Sequence, residues 1–335
     1  MSRIAVLGSG AWGTAIALSL TRRGGHEVTL WTHAQEICDD IVARGENVDF
    51  LPGFPLPEEI RITADTREAV SEAEIVVSVV PSEFLRQTYR RIAPSLHAGQ
   101  LLVSATKGVE DVTFLRMTEV IRATLAEQGL KLACGVLSGP TFAAEVAAGF
   151  PTAITIAFDN MAHAIRIQNE FSSPTLRLYT NDDVIGVELG GAIKNVIAIA
   201  CGTVAGLGLG YNSAAALITR GMAEITRLAV ACGARRETLA GLSGIGDLVL
   251  TCTGSLSRNR TVGFELGKGH KLPEILARLE GKVAEGVHTT TAALGLAQRH
   301  GVEMPITEQM DLILHQGKSP LEAMHELMSR PGRDE

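Results

Sequence analysis

The stretch RIAVLGSGAWGTAIALSL, residues 3–20, decides the fold class of this chain of 335 residues. An apolar run at residues 4–7 predicts a short strand, and the alanine- and leucine-rich end predicts a helix. Between them, Gly8, Gly10 and Gly13 have the G-x-G-x-x-G spacing, which permits a tight turn and close approach of the backbone to a pyrophosphate. The first N–H groups of the helix then face the anion. Because both flanks are present, we interpret the stretch as a dinucleotide-binding turn.

A second predicted strand, residues 27–31, ends in Trp31-Thr32-His33. At this place an NAD-binding fold usually carries an acidic residue for the ribose 2′-hydroxyl. Without a carboxylate to repel a 2′-phosphate, NADPH is allowed and favoured over NADH. His33 is either a donor to that phosphate or a loop residue in solvent.

Strand-like runs at 75–80, 101–105, 133–137 and 153–157 alternate with helical segments such as 84–92 and 114–127. Such alternation is typical of a parallel sheet covered on both faces. We therefore predict an α/β fold: a Rossmann-type, doubly wound, mostly parallel sheet over residues 1–181.

From residue 182 onward the strand patterns stop, and a second, all-helical domain is predicted over residues 182–335. Its predicted helices are 184–207, 214–231, 236–240, 272–279, 289–300 and two near the end. Because no long linker separates the domains, we expect them to pack directly and form a cleft.

The composition excludes several classes of protein. A formal charge of −7 and the lack of a basic block argue against a nucleic-acid partner. Five cysteines without C-x-x-C spacing fit reduced thiols of a cytoplasmic protein and predict no metal site, and no secretory leader is recognisable. The uncharged stretch between Lys194 and Arg220 is long enough to span a bilayer, but GLGLGYNS at 206–213 interrupts it. We predict two buried helices joined by a glycine-rich break, and no integral membrane segment.

Lys194 stands in the apolar segment VELGGAIKNVIAIAC, residues 187–201. Burying an isolated ammonium group costs several kcal/mol, about 3 or more, unless the charge is paired or neutralised. Lys194 therefore either meets a structural anion or faces a wet pocket where its proton is used. Asp247, in a glycine-rich context, is its candidate partner, a ligand for a substrate hydroxyl, or the N-cap of a following helix.

Three other polar segments have both a functional and an ordinary interpretation. Lys107 follows a strand at its carboxyl end, where ligands are reached, or is a surface-loop lysine. Gly139 and Thr141 lie in a strand-to-helix turn that can present donors to an anion, unless Thr141 is only an N-cap. Ser257-Arg258-Asn259, ahead of a helix, suits a phosphate or forms a solvated turn. Glu285 is most simply interpreted as a residue of a solvent-facing loop.

Together these residues resemble one family, the bacterial NAD(P)-dependent sn-glycerol-3-phosphate dehydrogenases. The resemblance covers nearly the whole chain. The matching segments are GSGAWGTA (8–15), ATKG (105–108), SGPTFAAEVAAGFPTA (138–153), ELGGAIKNVIAIACG (188–202), ITRGMAEITRL (218–228), GDLVLTCTGSLSRNR (246–260) and MPIT (304–307).

The resemblance implies reversible reduction of dihydroxyacetone phosphate to sn-glycerol 3-phosphate for phospholipid synthesis, by a homodimer. It implies that Lys194 donates and accepts the proton at the C2 oxygen of the substrate. The implied substrate-binding residues are Lys107, Gly139, Thr141, Lys194, Asp247, Ser257, Arg258 and Asn259. The implied cofactor-binding residues, besides the three glycines of the turn, are Ala11, Trp12, His33, Lys107, Ala143, Arg258, Val283 and Glu285.

The chain departs from the family pattern at two positions. Family members often have Ser at the position of Ala11, so only a backbone donor to the cofactor phosphates remains here, and often have Val at the position of Ala284. Two alternative functions stay open. One is a related two-domain dehydrogenase acting on a β-hydroxyacid or a sugar nucleotide, and the other is a non-catalytic redox sensor that binds a dinucleotide.

Overall fold

The structure is a computed structural model that describes residues 1–279 and 283–332. Its chain divides into two compact units. The first contains residues 1–107 and 115–188, and the second contains residues 108–114 and 189–335. We expected the domain boundary at residue 182. The chain divides instead between residues 188 and 189, inside the helix Val184–Gly206.

Within the described residues, the first unit holds one sheet of eight strands in the order β3-β2-β1-β4-β5-β6-β7-β8. All neighbours are parallel except β6 and β7, which are antiparallel. The strands are β1 (Ser2–Leu7), β2 (His26–Trp31), β3 (Ile60–Thr63), β4 (Ile75–Ser78), β5 (Leu101–Ser104), β6 (Ala133–Ser138), β7 (Thr152–Ala157) and β8 (Leu176–Asn181). The predicted α/β fold with a mostly parallel sheet is confirmed.

Both faces of this sheet are buried. Along β1, Ile4 and Val6 belong to one apolar cluster, whereas Ala5 and Leu7 belong to another, as the alternation of side chains in a strand requires. The covering helices are α1 (Ala11–Arg23), α2 (Gln35–Arg44), α3 (Thr66–Val70), α4 (Ser82–Ile92), α5 (Met117–Ala126), α6 (Ala143–Ala148) and α7 (Met161–Phe171), with a 3₁₀ turn at Ala93–Ser95.

The second unit is helical in its described part, as predicted. Its helices are α8 (Val184–Gly206), which begins in the first unit, α9 (Tyr211–Ala231), α10 (Arg236–Leu239), α11 (Asp247–Thr253), α12 (Arg258–Gly267), α13 (Leu272–Ala277), α14 (Glu285–Arg299), α15 (Pro305–Gln316) and α16 (Pro320–Met328). A π-helical turn, Leu242–Gly246, leads directly into α11.

Helix α8 is long and apolar enough to cross a membrane, but 94% of its most apolar window is buried inside the protein. Glycines let it pack closely against α12. A Cβ atom on Gly202 would lie 2.0 Å from the carbonyl oxygen of Arg260, and one on Gly263 would lie 1.9 Å from that of Ile199. The predicted two helices with a glycine-rich break are present as α8 and α9. The prediction that both are buried holds for α8 but was wrong for the first half of α9, where Tyr211 is 95% exposed.

Several predicted boundaries were wrong. The helix expected from residue 114 begins at Met117, because Val112 and Phe114 have positive φ angles of 70° and 55° and cannot continue a right-handed helix. The strand expected to reach residue 80 ends at Ser78, and the helix expected from residue 289 begins at Glu285.

A buried ion pair holds the first turns of α8. The carboxylate of Glu188 accepts hydrogen bonds from the Thr118 backbone N–H at 2.7 Å, from the Thr118 hydroxyl at 2.8 Å and from the Arg116 guanidinium at 2.7 Å. Burial raises the pKa of Glu188, and Arg116 opposes that shift. This contact fixes the start of the helix that also carries Lys194.

Candidate active site

The glycine turn between β1 and α1 has the geometry that a dinucleotide needs. Gly8 has a φ of +117°, a conformation that favours glycine, and a Cβ atom on Gly13 would lie 1.9 Å from the Gly8 carbonyl oxygen. A Cβ atom on Gly10 would meet no atom within 4 Å. The turn therefore needs Gly13 for its own packing, whereas the space at Gly10 is open to a ligand. Gly10 is the N-cap of α1 and provides no side-chain cap, which leaves the first-turn N–H groups, including those of Ala11 and Trp12, to an anion.

Asn47, which the sequence did not single out, holds this turn in place. Its buried side-chain amide donates to the Ser9 carbonyl oxygen at 2.6 Å and to the Thr14 hydroxyl at 2.8 Å. The Gly8 N–H donates to the Trp31 carbonyl oxygen at 3.1 Å, which ties the turn to the end of β2. The loop is thus ordered by its own contacts before any ligand binds.

The three residues at the end of β2 differ in their exposure to solvent. Trp31 is buried and its indole N–H donates to the Ala64 carbonyl oxygen at 3.1 Å. Thr32 is also buried, and its hydroxyl donates to the Ala34 carbonyl oxygen at 2.7 Å. His33 is exposed, so both its predicted role as a phosphate donor and a solvent-facing position stay compatible with the structure.

At the carboxyl ends of β5 and β6, the hydroxyl groups of Ser104 and Ser138 are buried, with no hydrogen-bond partner within the described part of the chain. Buried hydroxyl groups without a partner are uncommon. Lys107 follows β5 and is half-buried, in a loop that the Thr106 hydroxyl holds by donating to the Val80 carbonyl oxygen at 2.8 Å. Both interpretations of Lys107, a ligand-binding residue and a surface-loop lysine, stay compatible with this position.

Gly139 and Thr141 lie in the loop after β6. A Cβ atom on Gly139 would approach the Ile154 Cα to 2.9 Å, so β7 leaves room only for glycine there. The alternative of Thr141 as an N-cap was wrong: the N-cap of α6 is Phe142, and the Thr141 hydroxyl donates to the Gly139 carbonyl oxygen at 3.2 Å. Ala143 is the first residue of α6.

In the second unit, the Lys194 side chain is buried and forms an ion pair with Asp247. Its ammonium group also donates to the Thr251 hydroxyl oxygen at 2.7 Å, and that hydroxyl donates in turn to the Asp247 carbonyl oxygen at 2.6 Å. Asp247 is fully buried and is the first residue of α11, while Gly246 is the N-cap. Of the three possible roles of Asp247, the structure shows the pairing with Lys194.

The starts of α12 and α14 meet in the same unit. Ser257 is the N-cap of α12 and accepts from the Arg260 N–H at 3.2 Å, so Arg258 and Asn259 lie inside the first turn rather than ahead of the helix. Asn259 is buried and its side-chain oxygen accepts from the Gly286 N–H at 3.0 Å.

Glu285 was wrongly expected in a solvent-facing loop. It is the half-buried first residue of α14, two residues after half-buried Val283, and its carboxylate accepts from the Asn195 amide at 3.2 Å. Asn195 follows Lys194 on α8, so Glu285 is tied to the helix segment that carries the buried ammonium group.

Comparison with known proteins gives the family of this chain. The family model described as NAD-dependent glycerol-3-phosphate dehydrogenase N-terminus matches residues 3–164, and the model described as its C-terminus matches residues 183–325. The chain belongs to the NAD-dependent glycerol-3-phosphate dehydrogenase family. The resemblance stated from the sequence is therefore confirmed.

Relatives within this family match over the full length. The glycerol-3-phosphate dehydrogenase (NAD(P)+) of Acidobacterium capsulatum is 63% identical over 338 residues, with complete coverage of both chains. That of Koribacter versatilis is 59% identical over 335 residues, covering 100% of this chain and 99% of the relative. The crystal structure of glycerol-3-phosphate dehydrogenase from Coxiella burnetii is 40% identical, with a TM-score of 0.93, and the match covers 98% of this chain and 99% of that one.

Three residues of this glycerol-3-phosphate dehydrogenase family member were missed from the sequence: Asn47, Asn195 and Thr251. Thr251 lies four residues after Asp247, a spacing that places both side chains on one face of a helix, so a signal was present. Asn195 is adjacent to Lys194. Asn47 has no comparable signal, because it lies 38 residues from the carbonyl oxygen that it binds.

Proposed function

We propose that this chain catalyses the reversible, NAD(P)H-dependent reduction of dihydroxyacetone phosphate to sn-glycerol 3-phosphate, a precursor of glycerophospholipids. The observation that carries the proposal is the match of both halves of the chain to one dehydrogenase family, with a relative of that name 63% identical over its full length. The buried Lys194–Asp247 pair supplies an acid–base group of the kind that ketone reduction needs.

Lys194 is the proton donor in reduction and the proton acceptor in oxidation. A bound nicotinamide would supply hydride to the carbonyl carbon, and negative charge would then develop on the carbonyl oxygen. An ammonium group held out of bulk water stabilises that charge and then gives up a proton to the oxygen. Asp247 offsets the cost of burying the ammonium group, and Thr251 helps to orient it.

The substrate phosphate and hydroxyl groups are bound by residues that present donors. In the second unit, Ser257, Arg258 and Asn259 occupy the start of α12, where first-turn N–H groups and a guanidinium favour an anion. Asp247, which pairs with Lys194, is proposed to accept a hydrogen bond from a substrate hydroxyl group. In the first unit, the proposed contributors are Lys107, Gly139 and Thr141, which follow the carboxyl ends of β5 and β6.

The cofactor is NADP or NAD, with NADPH favoured. The residues that would hold it are Gly8, Gly10, Ala11, Trp12, Gly13, His33, Lys107, Ala143, Arg258, Val283 and Glu285. The open space at Gly10 supports a bound ligand at this edge of the sheet. The absence of a carboxylate at residues 31–33 supports the preference for the 2′-phosphate.

The direct test is the absorbance of NADPH, followed with dihydroxyacetone phosphate as substrate. The proposed enzyme consumes NADPH only when the ketone phosphate is present, and initial rates with NADH in parallel give the cofactor preference. Binding of NADPH without consumption would instead identify a redox sensor. Turnover restricted to β-hydroxyacids or sugar nucleotides would identify a different dehydrogenase.

The proposal also includes a homodimer in the cytoplasm. Four of the five cysteines are buried free thiols, which supports a reducing compartment, and the long apolar helix α8 is buried in the protein. Sedimentation equilibrium of the full chain tests the dimer, for which a mass of one chain at micromolar concentration is the contrary result.

A further inference from the structure

A cavity of about 590 Å³ lies in the second unit and has no part in the proposed reaction. One face of α9 forms its main wall, because residues 219–220, 222–223 and 226–227 repeat at the spacing of helical turns. The first residue of α10 and one residue of the π-helical turn complete it. The lining residues are Thr219, Arg220, Met222, Ala223, Thr226, Arg227, Arg236 and Ile245.

Three of these residues are arginines, and none is acidic. Across residues 1–279 and 283–332, neither Arg220 nor Arg236 makes a side-chain hydrogen bond or an ion pair. The Arg227 guanidinium donates to the Glu303 carbonyl oxygen at 3.1 Å, and its charge also opposes the rise in the pKa of the neighbouring buried Glu224. The lining residues themselves carry a formal charge of +3, in a chain whose total is −7.

Several other arginines in the chain are instead paired with acidic residues. Arg90, for example, is paired with Glu127 at 3.0 Å, and Arg166 is paired with Glu74 at 2.8 Å. Arg220 and Arg236 are exposed and Arg227 is half-buried, so the three charges lie at the protein surface. A guanidinium stays protonated at every physiological pH, and a bound anion would lower the mutual repulsion of the three groups. The cavity is thus electrostatically suited to a small polyanion.

The rest of the lining indicates the kind of anion. Guanidinium groups bind phosphate oxygens in a bidentate manner. Met222, Ala223 and Ile245 give the cavity an apolar part, against which a short carbon chain can pack. The volume falls within the range of about 300–1,000 Å³ found for small-molecule sites.

We propose that this cavity binds a phosphate-bearing small anion, either inorganic phosphate or a phosphomonoester with a short apolar group, through Arg220, Arg227 and Arg236. Binding there does not depend on the proposed dehydrogenase reaction. The site is separate from Arg258, the arginine that is proposed to bind the substrate.

Modification of arginines by phenylglyoxal, read residue by residue by peptide mass spectrometry, tests this site on the full chain. The probes are inorganic phosphate and n-butyl phosphate, each compared with sodium chloride of equal ionic strength. At about ten times Kd, a bound phosphate slows modification of Arg220 and Arg236 about tenfold. Arg177, an exposed arginine that stacks on Tyr179 in β8, is the control and keeps its rate.

The two phosphates distinguish the two sources of the ligand. Protection by butyl phosphate at a lower concentration than by inorganic phosphate identifies a phosphomonoester, because the apolar wall then contributes, and equal protection identifies free phosphate. Protection of Arg258 in the same samples reports on the proposed substrate site, so failure of one proposal is distinguishable from failure of the other.

The double variant Arg220→Gln/Arg236→Gln, with Arg177→Gln as its matched control, provides the second measurement. Isothermal titration with butyl phosphate is expected to lose the binding component that Arg177→Gln retains. Unchanged modification rates at Arg220 and Arg236, or the same slowing by sodium chloride, would overturn the proposal. It would equally be overturned if the double variant dissociated an assembly while neither phosphate protected the wild type, since the cavity would then be an interface between copies.

Discussion

Two glycines of the same turn are expected to respond differently to alanine substitution. Gly13→Ala should lower the stability of the fold, whereas Gly10→Ala should weaken binding of the dinucleotide. A Cβ atom on Gly13 would lie 1.9 Å from the Gly8 carbonyl oxygen, so α1 must move from β1 by about 1.5 Å to restore an ordinary contact. Overpacking of this kind costs about 3 kcal/mol or more. At Gly10 the backbone angles of −65° and 175° suit alanine, and no atom lies within 4 Å of the added carbon.

Gly10→Ala is therefore expected to change the free energy of unfolding by less than about 1 kcal/mol. The substitution should instead weaken binding of the dinucleotide, because the new methyl group fills space that the pyrophosphate needs. A loss of about 1–3 kcal/mol of binding free energy corresponds to a Kd for NADPH raised about 5- to 150-fold. Gly13→Ala is expected to lower the melting temperature by about 6–12 °C.

Thermal unfolding without ligand and isothermal titration with NADPH, performed on both variants, separate the two effects. The interpretation of the turn would be refuted if Gly10→Ala bound NADPH like the wild type. It would also be refuted if Gly10→Ala lost as much thermal stability as Gly13→Ala, since Gly10 would then serve the fold and not a ligand.

Two further predictions concern pH and cofactor choice. Burial raises the pKa of Glu224 from 4.5 to about 7, despite hydrogen bonds from the Ile306 and Thr307 N–H groups. Between pH 4.5 and 7 the native state therefore holds a proton that the unfolded chain releases, and the free energy of unfolding falls by up to about 3 kcal/mol as the pH rises. Urea unfolding of Glu224→Gln should show a weaker dependence on pH. The same dependence in this variant as in the wild type would contradict the prediction. His33→Asp places a carboxylate where the 2′-phosphate is expected, so KM for NADPH should rise about tenfold or more while KM for NADH stays constant. Equal effects on both cofactors would remove His33 from the 2′-phosphate site.

Helices and strands with a strong periodic pattern could be predicted from the sequence. Elements that depend on their place in the sheet or on contacts with distant residues could not. The strands β3 and β8 lie at the two edges of the sheet and are partly exposed, so they lack the continuous apolar runs of the central strands. The turn at Phe114 depends on distant partners. Its ring lies under the Arg299 guanidinium at 4.6 Å and fills the space beside Gly295, where a Cβ atom would approach it to 2.2 Å.

The site residues, too, were predictable only where the sequence itself carries a signal. The glycine turn and Lys194 were recognised because spacing and an unusual charge can be seen in the sequence alone. The choice among three roles for Asp247 needed the fold, because 53 residues separate its carboxylate from the Lys194 ammonium group. Likewise, Glu285 looks like a loop residue until α14 is seen to begin there.

The rate of hydride transfer in Lys194→Ala, measured in a single turnover with NADPH and dihydroxyacetone phosphate, tests the central claim most directly. Circular dichroism must first show that the variant is folded, because removing one partner of a buried ion pair costs about 3–5 kcal/mol. Loss of the proton donor should slow the step about 10²- to 10⁴-fold, and added ethylamine should restore part of the rate in proportion to its concentration. A folded Lys194→Ala variant that transfers hydride at nearly the wild-type rate would contradict the assignment of Lys194 as the proton donor.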